Sequence, residues 1–400
     1  MDLELAKRLS QPNTTKIILC VLDGLGGLPR HETLRSEMEA AQITNLDRLA
    51  QRSEVGLTVP VGPGITPGSG PGHLALFGYD PYRFDIGRGV LEAVGIDFEL
   101  GPDDVAARGN FCTLTKDGTI SDRRAGRVAT EESTRVVERL RTISIPGVEI
   151  FVEPVREHRF VLVLRGKGLG DRITGTDPQK DGVPPLTARP LDEEARPTAD
   201  AVNVFIAKAT EMLRDEPQAN GIMLRGFAKY PTLPQFTDTW GLRAAALAVY
   251  PMYRGLAKLA GMTALACPGG MEEQLQRVRD EWDNYDFFFI HYKKTDAAGE
   301  DGDFERKMQA LQEFDGYVPA LLELGADVLM IGGDHSTPAL MAAHSWHPVP
   351  FLIHSNYCRE GHAKSFAEQE CVRGSLGTFP AVDVMPLAMA HAMRFEKYGA

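Results

Sequence analysis

This chain has no excess of positive charge. Lys and Arg total 43 against 55 Asp and Glu, a formal net charge of −12. A nucleic-acid binder needs a basic face to displace phosphate counterions, so the charge argues against that class; a local basic pocket for a small anion remains compatible with it. Long apolar runs are lacking too, and none approaches the roughly 20 residues a membrane helix needs. The first run, Ile17 to Leu22, ends at Asp23 and is too short for the core of a signal peptide. Cysteine is scarce and scattered. Cys20, Cys112, Cys267, Cys358 and Cys371 are odd in number, far apart and never in a C-x-x-C pair, which argues against disulfides and thiolate zinc. Cys20 lies in an apolar run, where a thiol behaves as a small hydrophobe. No internal repeat or low-complexity segment stands out. Hydrophobic residues at 43% and charged residues at 24% are ordinary globular usage, which sets aside whole-chain disorder, collagen and coiled coil. The expectation is a cytoplasmic protein without nucleic-acid or membrane partners, and 400 residues give room for two domains.

What is present is an α/β pattern. Lys16 to Leu22 is a short continuous apolar run closed by Asp-Gly, as in a strand buried on both faces of a parallel sheet. Asp286 to His291 and Asp327 to Ile331 look the same. Between them, about Phe304 to Leu324, apolar residues recur at Met308, Leu311, Phe314, Val318 and Leu321, the spacing of one helix face. Pro319 predicts a kink or break there. Strand, helix, strand is the crossover unit of a parallel sheet. The middle of the chain differs. Strand-like runs such as Phe160 to Leu164 alternate with Gly, Pro and charged clusters, and Asp177 to Pro185 and Asp192 to Pro197 read as loop and turn. The α/β pattern resumes near Gly221. A second domain over 101–220, inserted into a first over 1–100 and 221–400, is therefore expected.

Three carboxylates sit just after the predicted buried strands: Asp23, Asp296 and Asp334. Ligands of open parallel sheets bind at the carboxyl ends of strands. Carboxylates converging there repel unless a positive group lies between them, and a metal cluster is the natural answer. Helix caps and turn starts are the bland alternative. His335 beside Asp334, with His344 and His347 a little further on, supports the metal. Asp296 and Glu300, four apart, would share one helix face. Carboxylate and imidazole without thiolate suit Mn²⁺, Zn²⁺ or Mg²⁺. The Gly/Pro-rich stretch Gly62 to Gly72 leads into an apolar run, which would set Ser69 near a helix N-terminus, where anions are favoured. A serine alkoxide held on a metal there could attack phosphorus. Arg123, Arg124 and Arg127 fall within six residues of the inserted region. With His158, Arg159 and Arg225 they are candidates to hold phosphate or carboxylate, although surface arginines paired with acidic neighbours would read the same way.

Taken in order, these motifs resemble the archaeal-type, cofactor-independent phosphoglycerate mutases of the alkaline phosphatase superfamily over nearly the whole chain. The resemblance rests on Leu22-Asp-Gly-Leu-Gly26, Pro67-Gly-Ser-Gly-Pro-Gly-His73 through Pro81, Gly87-Arg-Gly89, Asn110-Phe-Cys-Thr113 and Asp122-Arg-Arg-Ala-Gly-Arg127. It continues in Leu224-Arg-Gly226, Tyr250 to Gly255, Lys294-Thr-Asp-Ala-Ala-Gly299, Gly333-Asp-His-Ser-Thr-Pro338 and His344 to Pro350. It implies a doubly wound, alkaline-phosphatase-like α/β domain and a smaller inserted α+β lid. It also implies two divalent metal ions, Mn²⁺ first and Mg²⁺, Zn²⁺ or Co²⁺ as alternatives, and no need for 2,3-bisphosphoglycerate. Position by position, it implies that Ser69 is the phosphorylated nucleophile, that Asp23, Ser69, Asp334 and His335 form one metal site, and that Asp296, position 300 and His344 form the other. Arg123, Arg124 and Arg127 match the motif that holds phosphoglycerate. One departure stands out: position 300 is usually His in the wider family and is Glu300 here, a hard ligand favouring Mn²⁺ or Mg²⁺. The implied reaction interconverts 3-phosphoglycerate and 2-phosphoglycerate. Rival readings are a phosphatase, a phosphonate hydrolase or another small-metabolite phosphotransferase of the same superfamily, and a binding protein that kept the fold.

Overall fold

The computed structural model describes residues 2–84, 86–359 and 363–399. The chain divides into two compact units. The first is Met1–Asp85, Leu233–Val249 and Ala260–Ala400; the second is Ile86–Thr232 and Tyr250–Leu259. Strands β1 and β2 (Ile17–Leu22, Glu54–Val59) belong to the first unit. Strands β3 to β7 (Asp104–Leu114, Ile120–Asp122, Glu149–Arg156, Arg159–Arg165, Gly221–Ala228) belong to the second. Strands β8 to β13 (Ala244–Leu247, Thr263–Ala264, Phe287–Tyr292, Val328–Gly332, Val349–Ser355, Gly377–Pro380) return to the first.

The first unit is built on an eight-stranded sheet in the order β13-β2-β12-β11-β1-β10-β8-β9. From β11 to β9 every pairing is parallel; β12 runs antiparallel to both β11 and β2. The short apolar runs become β1, β10 and β11, buried at every position. That is what covering both faces of a parallel sheet demands. Cys20 is a fully buried thiol of β1, and its burial pushes its pKa up. The expected break in the helix after β10 is present: one helix spans Phe304–Asp315 and a second spans Val318–Glu323, with Pro319 in its first turn, where a missing N–H costs nothing. The face of the first helix differs from expectation in one respect. Lys307, not Met308, turns inward with Ala310, Leu311 and Phe314. No helix among the described residues is long and apolar enough to cross a membrane.

The second unit is a five-stranded antiparallel sheet around β3, which pairs with β6 and β7 along its length and with β4 near its end; β5 adds to β6. Helices Arg88–Gly95, Thr130–Leu140 and Arg196–Met212 belong to it. This corrects the expected limits of 101–220. Strand β7 is an apolar run compatible with either sheet, and its partner is β3. The chain also returns here for helix Pro251–Leu259, which packs against helix Arg88–Gly95. The approach is so close that a Cβ on Gly255 would meet the Leu91 carbonyl oxygen at 2.0 Å. Side-chain periodicity carries no information about such a distant return.

Candidate metal centre and arginine cluster

Parallel pairing sets Leu22 of β1 level with Tyr292 of β10, and Val21 level with Gly332 of β11. The three strands therefore end together and release Asp23, Lys293 to Asp296, and Asp334 with His335 at one edge. The chain after β1 turns at Gly24 with φ +66°, and a Cβ there would meet Thr337 Oγ1 at 2.5 Å. Only glycine satisfies both demands. Ser69 is the first residue of helix Ser69–Leu76, with Gly68 as its N-cap.

Two groups of ligand atoms converge: Asp23, Asp334 and His335 form one, and Asp296, His335 and His344 the other, each with its atoms within 4.8 Å of one another. His335 Nε2 lies 3.4 Å from Asp23 Oδ1, 3.3 Å from Asp334 Oδ2 and 3.3 Å from Ser69 Oγ. His344 Nε2 is 3.5 Å from Asp296 Oδ1 and 3.8 Å from Glu300 Oε1, and its ring stacks on His335 at 3.6 Å between centroids. Glu300 is the most exposed of these side chains, at 42%. His347 lies outside both groups, with Nδ1 3.1 Å from Ser345 Oγ.

Hydrogen bonds set the tautomers. Thr337 has one hydroxyl hydrogen, which it donates to the Asp296 carboxylate at 2.8 Å; it must therefore accept from His335 Nδ1–H at 3.0 Å. His344 Nδ1 faces the Pro67 carbonyl at 3.0 Å, which can only accept. Both rings so turn an Nε2 lone pair into the cluster, as metal-binding imidazoles do.

Several participants escaped the sequence reading. Lys293 Nζ donates to Asp23 Oδ2 at 3.0 Å and to Asp296 Oδ2 at 2.5 Å. His291 Nε2 is 3.0 Å from Asp23 Oδ2. His73, fully buried, has Nδ1 2.8 Å from the Ser69 carbonyl and 3.1 Å from Asp334 Oδ2. Burial alone would raise the Asp23 carboxyl, yet Lys293, His291 and His335 hold it well below the usual range. Burial disfavours a charged His73, but the Asp334 carboxylate beside it raises its pKa. Burial lowers His335, outweighing its acidic neighbours. The one available signal was position: His291 and Lys293 flank the end of β10.

The second unit collects the arginines. In the register of its sheet Arg108 faces Arg225 and Asn110 faces Arg159. Directly opposed residues, and residues two apart on a strand, point to the same side, so these four share one face. The Asp122 to Arg127 turn is held by Asp122, which accepts from Arg124 N and Gly126 N, while Ala125, Gly126 and Arg127 all take positive φ. Arg123 grips Asp177 with two bonds of 3.1 and 2.8 Å. Burial drives His158 down to about 3, helped by Arg159, Arg108, Arg124 and Arg127. Burial also lowers Arg225, to about 10, with Arg88 next in effect. The six predicted residues are thus brought together, and Arg88 and Arg108 join them unpredicted. In this cluster buried Arg159 Nε and Arg225 Nε have no hydrogen-bond acceptor, and the concentration of guanidinium groups suits an anion.

Similarity to known proteins agrees with the geometry. The sequence model of the 2,3-bisphosphoglycerate-independent phosphoglycerate mutases matches residues 50–219. A Thermosipho africanus protein named as a probable enzyme of this kind is 51% identical, over 98% of each chain. Among solved structures, a Pyrococcus horikoshii protein superposes with a TM-score of 0.83 at 29% identity, over 97% of this chain and 100% of that one. A cofactor-independent phosphoglycerate mutase from Thermoplasma acidophilum gives 0.66 at 28% identity, over 94% and 100%. With half its residues shared end to end with such a relative, the chain belongs to the 2,3-bisphosphoglycerate-independent phosphoglycerate mutase family.

Proposed function

We propose that this protein interconverts 3-phosphoglycerate and 2-phosphoglycerate through a phosphoserine at Ser69, at a centre holding two divalent metal ions. The observation that carries the reading is the meeting of Ser69 Oγ, at a helix N-terminus, with two carboxylate–imidazole groups that share His335. The donors fit hard divalent ions: they are carboxylate oxygens and Nε2 lone pairs, and buried Asp334 Oδ2 accepts no well-directed hydrogen bond. Asp23, Ser69, Asp334 and His335 would hold one ion, and Asp296, Glu300 and His344 the other, with Mn²⁺ the first candidate. Such ions lower the proton affinity of a serine hydroxyl and neutralise charge on a transferring phosphoryl group.

Ser69 Oγ forms the new bond to phosphorus as the glycerate oxygen leaves on the opposite side. The peptide N–H groups at the start of helix Ser69–Leu76 favour the negative charge gathered there. The other glycerate hydroxyl then attacks the phosphoserine, the Oγ–P bond breaks, and the isomeric ester forms. No phosphoryl donor beyond the substrate is needed, which is why 2,3-bisphosphoglycerate is dispensable. Arg123, Arg124, Arg127, Arg159 and Arg225 bind the anionic groups of the substrate and retain glycerate between the two transfers, with neutral His158 among them. Asp177 fixes the orientation of Arg123.

Phosphorus NMR of the purified protein with 3-phosphoglycerate and Mn²⁺ tests the reading. The expected result is 2-phosphoglycerate without added 2,3-bisphosphoglycerate, abolished by EDTA and by Ser69→Ala. Inorganic phosphate as the sole product would mean that glycerate escapes and that the protein is a hydrolase.

A further inference from the structure

Lys307 is a lysine in the wrong place for its type. It occupies the inward stripe of helix Phe304–Asp315 with Ala310, Leu311 and Phe314, and it is fully buried. Buried ammonium groups are rare unless every proton is satisfied. Here all three are. Nζ donates to the carbonyls of Gly24 at 2.9 Å, Gly26 at 2.9 Å and Thr337 at 2.8 Å. None of the three acceptors is a carboxylate, so the residue is engaged with backbone rather than with a counter-ion.

The three carbonyls come from two segments. Gly24 and Gly26 belong to the loop that starts at Asp23; Thr337 belongs to the segment that starts at Asp334 and His335. The segments also meet directly, through Thr337 N to Gly26 O at 3.1 Å. Around them, Glu368 accepts from Gly27 N at 2.9 Å, and Glu37 accepts from Ala339 N at 2.7 Å. Lysine supplies the donors that the loop carbonyls need, and the two glutamates supply the acceptors for the neighbouring N–H groups.

We propose that Lys307 is a positioning residue for the metal centre, tying the Asp23 loop to the Asp334–Thr337 segment and so fixing the spacing of the two ligand groups. The inference rests on the two-metal reading above. Its reach extends to the second group because the Thr337 side chain bonds Asp296 and His335 while its carbonyl is held by Lys307. Replacement by methionine takes the side-chain donor from the Gly24 and Thr337 carbonyls, leaves Gly26 O with Thr337 N alone, and loosens the tie between the loops.

The test compares Lys307→Met, Lys307→Gln and Leu311→Ala in the full chain. Leu311 lies one turn along the same helix, fully buried, and touches none of the ligand loops through hydrogen bonds, so it controls for general loss of stability. The readouts are Mn²⁺ affinity from electron paramagnetic resonance titration, Tm, and kcat and KM separately. Lys307→Met is expected to weaken Mn²⁺ binding about 10- to 100-fold, the usual scale for residues that support metal ligands. It should lower kcat more than it raises KM, while Leu311→Ala keeps wild-type affinity despite a lower Tm. Lys307→Gln retains two donors and carries the same test if the Met variant does not fold. Wild-type Mn²⁺ affinity in the Lys307 variants overturns the inference alone, as does equal weakening by Leu311→Ala. A wild-type protein that binds no Mn²⁺ overturns the two-metal reading beneath it.

Discussion

The two units carry clusters of opposite sign, and each is incomplete in its own way. In the first, Asp23, Asp296 and Asp334 crowd together, with Lys293 as the positive charge between two of them. In the second, eight cationic or imidazole side chains gather around Asp177 and Glu92. Burying like charges is costly unless partners compensate them. The acidic cluster is organised for cations: its imidazoles are fixed with lone pairs inward and its oxygens lie within ligand reach. The basic cluster is organised for anions: its donors project from adjacent strands onto one face. Compensation inside the chain is partial in both, and under the proposed function metal ions and a phosphorylated substrate would bring the remainder. A site's sign predicts its ligand only when its internal counter-charges are counted.

The largest expected effect separates chemistry from metal binding within the acidic cluster. Ser69→Ala should reduce kcat by about 10⁴-fold or more while Mn²⁺ still binds; activity within tenfold of wild type would remove serine from the reaction. Next, Arg159→Met in the basic cluster should raise KM for 3-phosphoglycerate about 10- to 100-fold, the scale of one lost charged hydrogen bond, with Mn²⁺ affinity unchanged. If the metal responds instead, the division of labour drawn above is wrong.

A smaller effect concerns stability. Burial would raise the Asp177 carboxyl, but Arg123, the Gln179 N–H and Arg225 hold it below its ordinary value. A depressed folded pKa contributes stability above the unfolded value, and that contribution is lost as pH falls through the folded one. Asp177→Asn should therefore cost about 1–3 kcal/mol in urea unfolding at pH 7, and the deficit should narrow below about pH 4. A constant deficit at all pH values would point to packing. The smallest effect is a silence. With burial, and then the arginines around it, driving its pKa down to about 3, His158 should show no change in its ring-proton chemical shifts between pH 5 and 8; a titration in that window would mean the ring is not buried among those arginines.

The sequence made the centre of the first unit legible because both-face burial leaves continuous apolar runs, and β1, β10 and β11 are such runs. Their ends told where Asp23, Asp296 and Asp334 would meet. Ser69 was readable because glycines and prolines precede an apolar helix. Lys293, His73, His291, Thr337 and Lys307 were not, since each gains its role from a partner in a distant segment, and the first four disturb no local pattern. Lys307 even contradicts one, occupying the face where Met308 was expected. Strand β7 escaped for a related reason: an apolar run announces burial, not which sheet it joins.

The winding of the chain between its two units bears on how the protein is made. β1 is the central strand of its sheet, yet both of its neighbours are encoded far downstream: Ile17 pairs with Phe287 and with Val328. At a synthesis rate of about 5–20 residues per second, that strand waits on the order of 10 to 60 s on the ribosome with both edges open. It is six apolar residues without a charge, the kind of segment that pairs with other chains when left alone. The order of the strands therefore leaves an apolar segment unpaired through most of synthesis, a segment that gains from being shielded until Phe287 and Val328 emerge.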